Sequence, residues 1–189
     1  MNKKIKLQFS IVTGFILIAA FSRLIPHPPN FAPIGGMALF GAAYFNRRIW
    51  SYFIPIVSMW LSDLVLNNII YARYFEGFVW FYRGSFFTYG AFVLIVLMGS
   101  FTLRRIRIPR LVFSALGASA IFFAISNFGV WMSSGMYPHS WKGLAACYAT
   151  GIPFFKNTLM GDLFYSAGLF GLFELSKAWF PRLNVSHRT

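Results

Sequence analysis

The chain has very few acidic residues and almost no cysteine. Of its 189 residues only four are Asp or Glu, against 17 Lys and Arg, and Cys147 is the one cysteine. A single cysteine excludes an intramolecular disulfide and any metal site built on several cysteines. Charged residues make up 11% of the chain, whereas 58% of the residues are hydrophobic. A soluble domain of this composition would have too little polar surface to stay dispersed, so an integral membrane protein is indicated.

Signatures of common hydrolases and of nucleotide binding are also absent. The sequence contains no GxSxG or HExxH motif and no glycine-rich phosphate loop. His27, His139 and Cys147 do not have the spacing of metal ligands, so neither a metal nor a cofactor is predicted. The net charge of +13 would suggest nucleic acid in a soluble protein, but no soluble module carries a basic stripe. We therefore predict neither an enzyme nor a nucleic-acid-binding protein.

Six apolar segments fill most of the chain and predict an all-α integral membrane protein. An α-helix rises about 1.5 Å per residue and needs roughly 20 residues to cross the hydrocarbon of a bilayer. Residues 31–45 fall short of that length and are predicted to form a short second span; a re-entrant segment, with five spans in all, is the alternative. Pro109 and Pro153 suit the first turns of the last two spans. The prediction is a single transmembrane domain over residues 1–189, with spans at about 7–24, 31–45, 49–71, 85–103, 108–132 and 153–180.

The basic residues predict the orientation of this domain, because cytoplasmic loops are rich in Lys and Arg. With six spans, both termini lie on the same side. Twelve basic residues then gather there: Lys3, Lys4, Lys6, Arg47, Arg48, Arg104, Arg105, Arg107, Arg110, Lys177, Arg182 and Arg188. Five lie on the other side: Arg23, Arg73, Arg83, Lys142 and Lys156. We therefore predict a multi-pass protein of the bacterial cytoplasmic (inner) membrane, with both termini in the cytoplasm.

Three loops on the predicted outer side carry unusual residues. The loop 23–33 has four prolines, which favour a stiff, extended wall; simple closure of the bundle is the alternative. The loop 71–84 mixes aromatic residues, including Trp80, with charged ones, as an interfacial helix in the headgroup region does. Membrane anchoring explains these aromatics about as well as stacking on a ligand. The third loop, 133–155, contains one histidine, His139, and the one cysteine of the chain, Cys147.

Polar side chains recur near the outer ends of three predicted spans. An ionisable group in hydrocarbon costs several kcal/mol unless it has a partner or a watery cavity. Residues four apart share a helical face, and two pairs have this spacing, Asp63 and Asn67 in the third span and Asn127 and Trp131 in the fifth. Asn157 and Asp162 lie two to three turns into the sixth span. Their similar depth predicts a small-molecule cavity that opens outward. The alternative is a structural hydrogen-bond network, or an ion pair of Asp63 or Asp162 with Arg23.

The predicted architecture resembles the substrate-binding S components of energy-coupling-factor (ECF) vitamin transporters. The likeness rests on the chain length, six spans with both ends inside, a short second span after the PPNFAP loop, and a cavity roofed by outer loops. The segments RLIPHPPNFAPIGGMALFGAAYF, SDLVLNN and IPFFKNTLMGDLFYSAGLFGLFEL also resemble a bacterial membrane-protein family with a domain-of-unknown-function label. The first resemblance implies capture of a vitamin-like molecule from outside, such as a cobalamin-type compound or another cofactor precursor.

The same resemblance implies a protein partner. S components work with a coupling module, made of a transmembrane coupling protein and two ATPases, which docks on small residues of the first spans. Ala38 and Ala42 offer the required spacing on the second span. Internal packing of that face is the alternative, as is a transporter that works without such a module.

We therefore predict a membrane substrate-binding and transport protein, surrounded by membrane lipid. The predicted ligand-binding residues are Arg23, Asn30, Asp63, Asn67, Trp80, Asn127, Trp131, Asn157 and Asp162. Arginine would hold an anionic group, the Asn and Asp side chains would bind polar edges, and the aromatics would stack on a flat ligand. An intramembrane enzyme acting on a lipid-phase substrate and a structural or assembly protein are the two alternatives.

Overall fold

The computed structural model describes residues 3–180 and 183, and within these residues the chain forms six α-helices and no β-strand. The helices are α1 (Lys3–Ser22), α2 (Ile34–Tyr44), α3 (Arg48–Val65), α4 (Ser85–Thr102), α5 (Ile108–Ser133) and α6 (Trp141–Trp179). In this part of the chain, four stretches are helical, long and apolar enough to cross a membrane: Lys4–Ser22, Arg48–Ile70, Ser85–Thr102 and Ile108–Ser133. The all-helical fold and its membrane character thus agree with the prediction from composition.

The helix α6 departs most from its predicted boundaries. It begins at Trp141, where the side chain of Ser140 caps the helix by accepting a hydrogen bond from the Gly143 N–H at 3.2 Å. Pro153 therefore lies inside the helix and not in its first turn. The 39 residues of α6 extend about 58 Å, nearly twice the bilayer hydrocarbon thickness of about 30 Å. Only part of α6 can lie within a bilayer.

The short helix α2 occupies the centre of the bundle. Its 11 residues extend about 16 Å, and it contacts all five other helices. Glycines permit this close packing, because a Cβ on Gly36 would lie 2.9 Å from the Tyr165 Cβ of α6. A Cβ on Gly41 would lie 2.8 Å from the Pro55 Cγ of α3. The second apolar segment is therefore a short helix buried among its neighbours, as predicted.

The small residues of α2 face the inside of the bundle. Ala38 is completely buried, and Ala42 packs against α4, where a Cβ on Gly99 would lie 3.0 Å from the Ala42 Cβ. The spacing of Ala38 and Ala42 serves packing within the chain, which is the alternative given for this face. Docking of a coupling protein stays a prediction.

The segment after α3 is held by one asparagine. A π-helical turn over Leu66–Ile70 ends α3, with the Tyr71 N–H donating to the Leu66 carbonyl at 2.7 Å. The Asn68 side chain donates to the Val79 carbonyl at 2.9 Å and accepts from the Val79 N–H at 2.7 Å. The predicted interfacial helix is not formed, because the loop contains only a short 3-10 turn, Ala72–Tyr74, and folds back onto Asn68.

Candidate functional site

Arg23 and Asp63 form a largely buried ion pair near the ends of α1 and α3. Arg23 Nη1 lies 2.7 Å from Asp63 Oδ1 and donates a hydrogen bond to Ser62 Oγ at 2.8 Å. The Tyr89 hydroxyl of α4 donates to Asp63 Oδ2 at 2.7 Å. The Arg23 and Asp63 side chains are 13% and 5% exposed. The pair therefore connects α1, α3 and α4, as one of the sequence alternatives predicted.

The guanidinium of Arg23 keeps capacity for a further partner. Both of its contacts use Nη1, whereas a guanidinium carries five N–H donors in a planar fork. The other donors belong to a side chain that is still 13% exposed. Arg23 therefore has donors left for a further acceptor while it stays paired with Asp63.

Tyr82, in the loop before α4, lies beside this ion pair. Burial, and then the neighbouring Asp63 carboxylate, raises the pKa of Tyr82 to about 12. The neighbouring Thr88 side chain acts in the opposite direction and lowers the pKa of Tyr82. The Tyr82 hydroxyl thus stays protonated at neutral pH and remains able to donate.

Asp162 has a different role, because its carboxylate caps α2 from the side of α6. Asp162 Oδ1 accepts from the Gly35 N–H at 2.8 Å, and Oδ2 accepts from Ser119 Oγ at 2.7 Å. Pro33, at the N-cap of α2, gives no side-chain cap, and a carboxylate at a helix N-terminus is favourable. A Cβ on Gly35 would lie 2.5 Å from the Asp162 Cγ, so a glycine is needed here. Asp162 is 1% exposed and both its oxygens are occupied.

The proline-rich loop is attached to the same helix. Asn157 Nδ2 donates to the Pro29 carbonyl at 2.9 Å. The Tyr165 hydroxyl lies 2.8 Å from Ser22 Oγ at the end of α1. Asn30 is exposed and has φ of +63°, a left-handed conformation that asparagine tolerates. Asn157 thus fixes a loop wall, and Asn30 lies at its exposed turn.

The predicted residues of α5 bind backbone groups. Asn127 Nδ2 donates to the Phe123 backbone carbonyl at 2.8 Å, and the backbone carbonyl of Asn127 accepts from Cys147 Sγ at 3.3 Å. Trp131 Nε1 donates to the Pro138 carbonyl at 2.9 Å. These contacts join the C-terminal end of α5 to the start of α6.

The remaining two predicted residues lie apart from the ion pair. Trp80 is 59% exposed and stacks on Trp60, with ring centroids 6.4 Å apart and planes at 16°. Asn67 lies within the π-helical turn, so the spacing of four residues from Asp63 no longer implies a shared face. The neighbouring Asn68 makes the loop contacts instead.

The structure does not gather the nine predicted residues around one cavity. Arg23 and Asp63 meet, Asn157 and Asp162 hold the first loop and α2, and the others have separate partners. Four residues that make these contacts were not predicted from the sequence: Ser62, Tyr89, Ser119 and Asn68. Tyr89 could have been predicted as a member of the site, because a hydroxyl one turn inside an apolar segment needs a hydrogen-bond partner.

An open cavity of about 360 Å³ lies between the beginning of α4 and the end of α5. Its walls are formed by Tyr82, Arg83, Gly84, Thr88, Ser126, Gly129, Val130, Ser133, Ser134 and Met136. None of the nine predicted residues is among them. In residues 3–180 and 183, no three His, Cys, Asp or Glu side chains come together in a group able to hold a metal ion.

Comparisons with known proteins give a family without an activity. No curated protein and no solved structure gives a significant match to the chain. The model of a family described as "Family of unknown function (DUF6580)" matches residues 3–183. This match includes all six helices and the three sequence blocks that resemble a domain-of-unknown-function family. The chain therefore belongs to DUF6580, a family of unknown function.

Proposed function

We propose that this protein binds a small, vitamin-like molecule at the outer ends of its helices and takes part in its uptake across the bacterial cytoplasmic membrane. The observation that carries the proposal is the Arg23–Asp63 ion pair, in a chain with only four acidic residues. Burying charged side chains inside a membrane protein costs free energy, so such residues are usually functional and often lie on the path of a ligand or an ion.

Stability alone is a weak reason for such a pair. Buried ion pairs are often no better than well-packed apolar residues, because desolvation offsets the attraction between the charges. Arg23 also keeps unused donors on a partly exposed side chain. We infer that these donors hold an anionic group of the ligand by charge-assisted hydrogen bonds.

Aromatic residues next to the ion pair suit a flat ligand. Phe81 contacts Tyr89 edge to face, with ring centroids 6.3 Å apart, and Tyr89 donates to Asp63. Phe81 is 60% exposed, so its ring is available for stacking. The proline-rich loop, fixed by Asn157, forms the opposite wall in this proposal.

The proposed orientation has six helices in the membrane and both termini in the cytoplasm. The arginines between α2 and α3 and between α4 and α5 then lie on the cytoplasmic side, in accord with the positive-inside rule. The helix α2 lies inside the bundle, and the first turns of α6 project beyond the bilayer on the outer side. A coupling module of the ECF type remains part of the proposal, but it would dock on surfaces other than the buried face of α2.

Native mass spectrometry of protein extracted from its own membranes tests this function. Co-purified molecules are released and identified by fragmentation, for the natural protein and for the double variant Arg23→Met/Asp63→Leu. The apolar pair preserves packing, so the fold is expected to survive. We expect a stoichiometric water-soluble molecule with the natural protein and none with the variant.

The double variant Glu174→Gln/Lys177→Met is the matched control, since it removes the 2.5 Å ion pair at the other end of the bundle. It should retain the molecule. Retention by the Arg23→Met/Asp63→Leu protein would contradict the proposal. Recovery of phospholipid alone from every protein would favour a structural protein or a lipid-phase enzyme.

A further inference from the structure

We propose that the cavity between α4 and α5 binds the anionic group of a small molecule, with Arg83 as its cationic partner. This inference goes beyond the binding proposed at the ion pair, because it assigns a second, separate site in which Arg83, and not Arg23, holds the anion. The cavity volume of about 360 Å³ lies at the lower end of the range for ligand pockets, about 300–1,000 Å³.

Two glycines shape this cavity. Gly84 has φ of +85°, which lets the chain turn sharply into α4, and a Cβ there would lie 3.0 Å from Ser133 Oγ. Deeper in the bundle, a Cβ on Gly129 would lie 2.5 Å from the Phe87 Cβ. The two helices are therefore in close contact at these points, and the cavity remains between them, open to the outside.

The cavity walls combine an apolar surface with several hydroxyls and one charge. Ser134 Oγ accepts from the Met136 N–H at 3.1 Å, so its O–H is free to donate to a ligand. Ser133 Oγ donates to the Gly129 carbonyl at 2.6 Å and retains lone pairs that can accept. Thr88, Ser126 and Tyr82 add three further hydroxyls. An apolar pocket with a few convergent polar groups is typical of a small-molecule site.

Arg83 is the charge in this wall, and no acidic side chain pairs with it in the described part of the chain. It forms no hydrogen bond or ion pair with the residues that the structure describes. Arg73, on the same loop, differs because its guanidinium donates to the Tyr74 hydroxyl at 2.8 Å and lies 4.8 Å from the Tyr74 ring centroid. Arg83 therefore has its full set of donors available for a carboxylate or phosphate, which a guanidinium binds bidentately.

Tyr82 connects this cavity with the Arg23–Asp63 ion pair. Its side chain lines the cavity and also lies close enough to Asp63 to interact with that carboxylate electrostatically. The ligand class is a small molecule with one carboxylate or phosphate on a compact apolar body.

Isothermal titration of the full-length protein in maltoside detergent with phenyl phosphate and phenylacetate tests the inference, with phenylacetamide as the neutral probe. We expect the two anions to bind and the amide to bind at least tenfold more weakly. Arg83→Gln should weaken the anions at least tenfold and leave the amide unchanged, and Ser126→Phe should abolish binding by filling the cavity. Melting temperatures report whether each variant is folded.

Arg73→Gln is the matched control, because it removes the same charge from the same loop but not from the cavity. Equal weakening by Arg73→Gln and Arg83→Gln, or no binding of either anion to the natural protein, would overturn the inference. Unchanged binding to Arg23→Met/Asp63→Leu, with loss in Arg83→Gln, would show that this cavity binds its anion independently of the ion pair.

The anion can come from a soluble molecule or from a lipid headgroup, and nanodiscs distinguish these sources. Phenyl phosphate is titrated into protein in phosphatidylcholine discs and in discs that contain equal parts of phosphatidylcholine and phosphatidylglycerol. Equal affinity in both identifies a soluble ligand. Weaker binding of phenyl phosphate in the discs with phosphatidylglycerol means that the lipid competes for the site. If Arg83→Gln shows no such difference between the two kinds of disc, the competing group is a lipid phosphate held by Arg83.

Discussion

Asp63 and Asp162 are both buried acidic residues, but their partners differ in kind. Asp63 faces a guanidinium and a phenol, whereas Asp162 accepts from a backbone N–H and a serine. The partners of Asp63 leave donors of Arg23 available for a ligand. In Asp162, by contrast, each carboxylate oxygen already accepts a hydrogen bond inside the bundle. At the level of single residues, Asp63 therefore belongs to a candidate binding site, while Asp162 holds the bundle together.

Replacing Asp162 should consequently affect stability more than ligand binding. Asp162→Ala leaves the buried Gly35 N–H without its partner and leaves the Ser119 hydroxyl only the Ala115 carbonyl, at 3.1 Å, so we expect the free energy of unfolding to fall by about 2 kcal/mol. Asp162→Asn keeps one acceptor and should cost less. Titration with sodium dodecyl sulfate in bicelles measures both. Glu174→Gln, at a half-exposed surface pair, should change the unfolding free energy by less than about 1 kcal/mol; an equally small loss in Asp162→Ala would refute the capping role.

Between the elements, the loop 71–84 depends on Asn68, whose amide makes two hydrogen bonds to Val79 and one, at 2.9 Å, to the Leu64 carbonyl. A loop that lacks regular structure is protected from proteases mainly by such contacts. Its aromatic residues lie at the surface, where they add little tertiary packing to hold it.

Asn68→Ala should therefore free this loop without unfolding the helices. We expect trypsin to cleave after Arg73 and Arg83 several-fold faster than in the natural protein, with an unchanged helical circular-dichroism spectrum. Asn67→Ala is the adjacent control and should be cleaved at the natural rate. Faster cleavage in both variants would indicate general weakening of the π-helical turn and not loss of the Asn68 contacts.

Sequence patterns predicted the helices well because apolar length is a local property. Residues 31–45 were recognised as too short for an ordinary span, and the structure has α2 at Ile34–Tyr44. The start of α6 was missed because Pro153 suits a first turn, whereas the cap at Ser140 is the real beginning. Contact partners were harder to predict, since Gly35 and Asp162 are 127 positions apart and no local pattern joins them.

For the whole molecule, the basic residues and the helix order together imply one orientation. The arginines around positions 47 and 105 lie in turns at one end of the bundle. The loop with Arg23 and the loop with Arg73 and Arg83 lie at the other end. Charge asymmetry of this kind sets orientation during insertion. The outer-face site and the proposed uptake both depend on it.

Cysteine labelling in intact cells tests the orientation. In a Cys147→Ala background, Glu76→Cys should react with a membrane-impermeant maleimide, and Arg105→Cys should react only after the cells are opened. Both positions are exposed, so accessibility is not limited by the fold. The reverse pattern would place the cavity and the ion pair on the cytoplasmic side and would contradict uptake from outside.

The short helix at the centre also constrains how the protein is made. A helix of about 16 Å cannot match the hydrocarbon thickness by itself, so α2 gains little from partitioning into lipid as an independent segment. Its glycines allow the other five helices to pack closely against it. Three of these helices, α4, α5 and α6, are synthesised only after α3 and are absent when α2 leaves the ribosome. Biogenesis must therefore hold α2 between α1 and α3 until the later helices close around it, and the last of them, α6, supplies the aspartate that caps it.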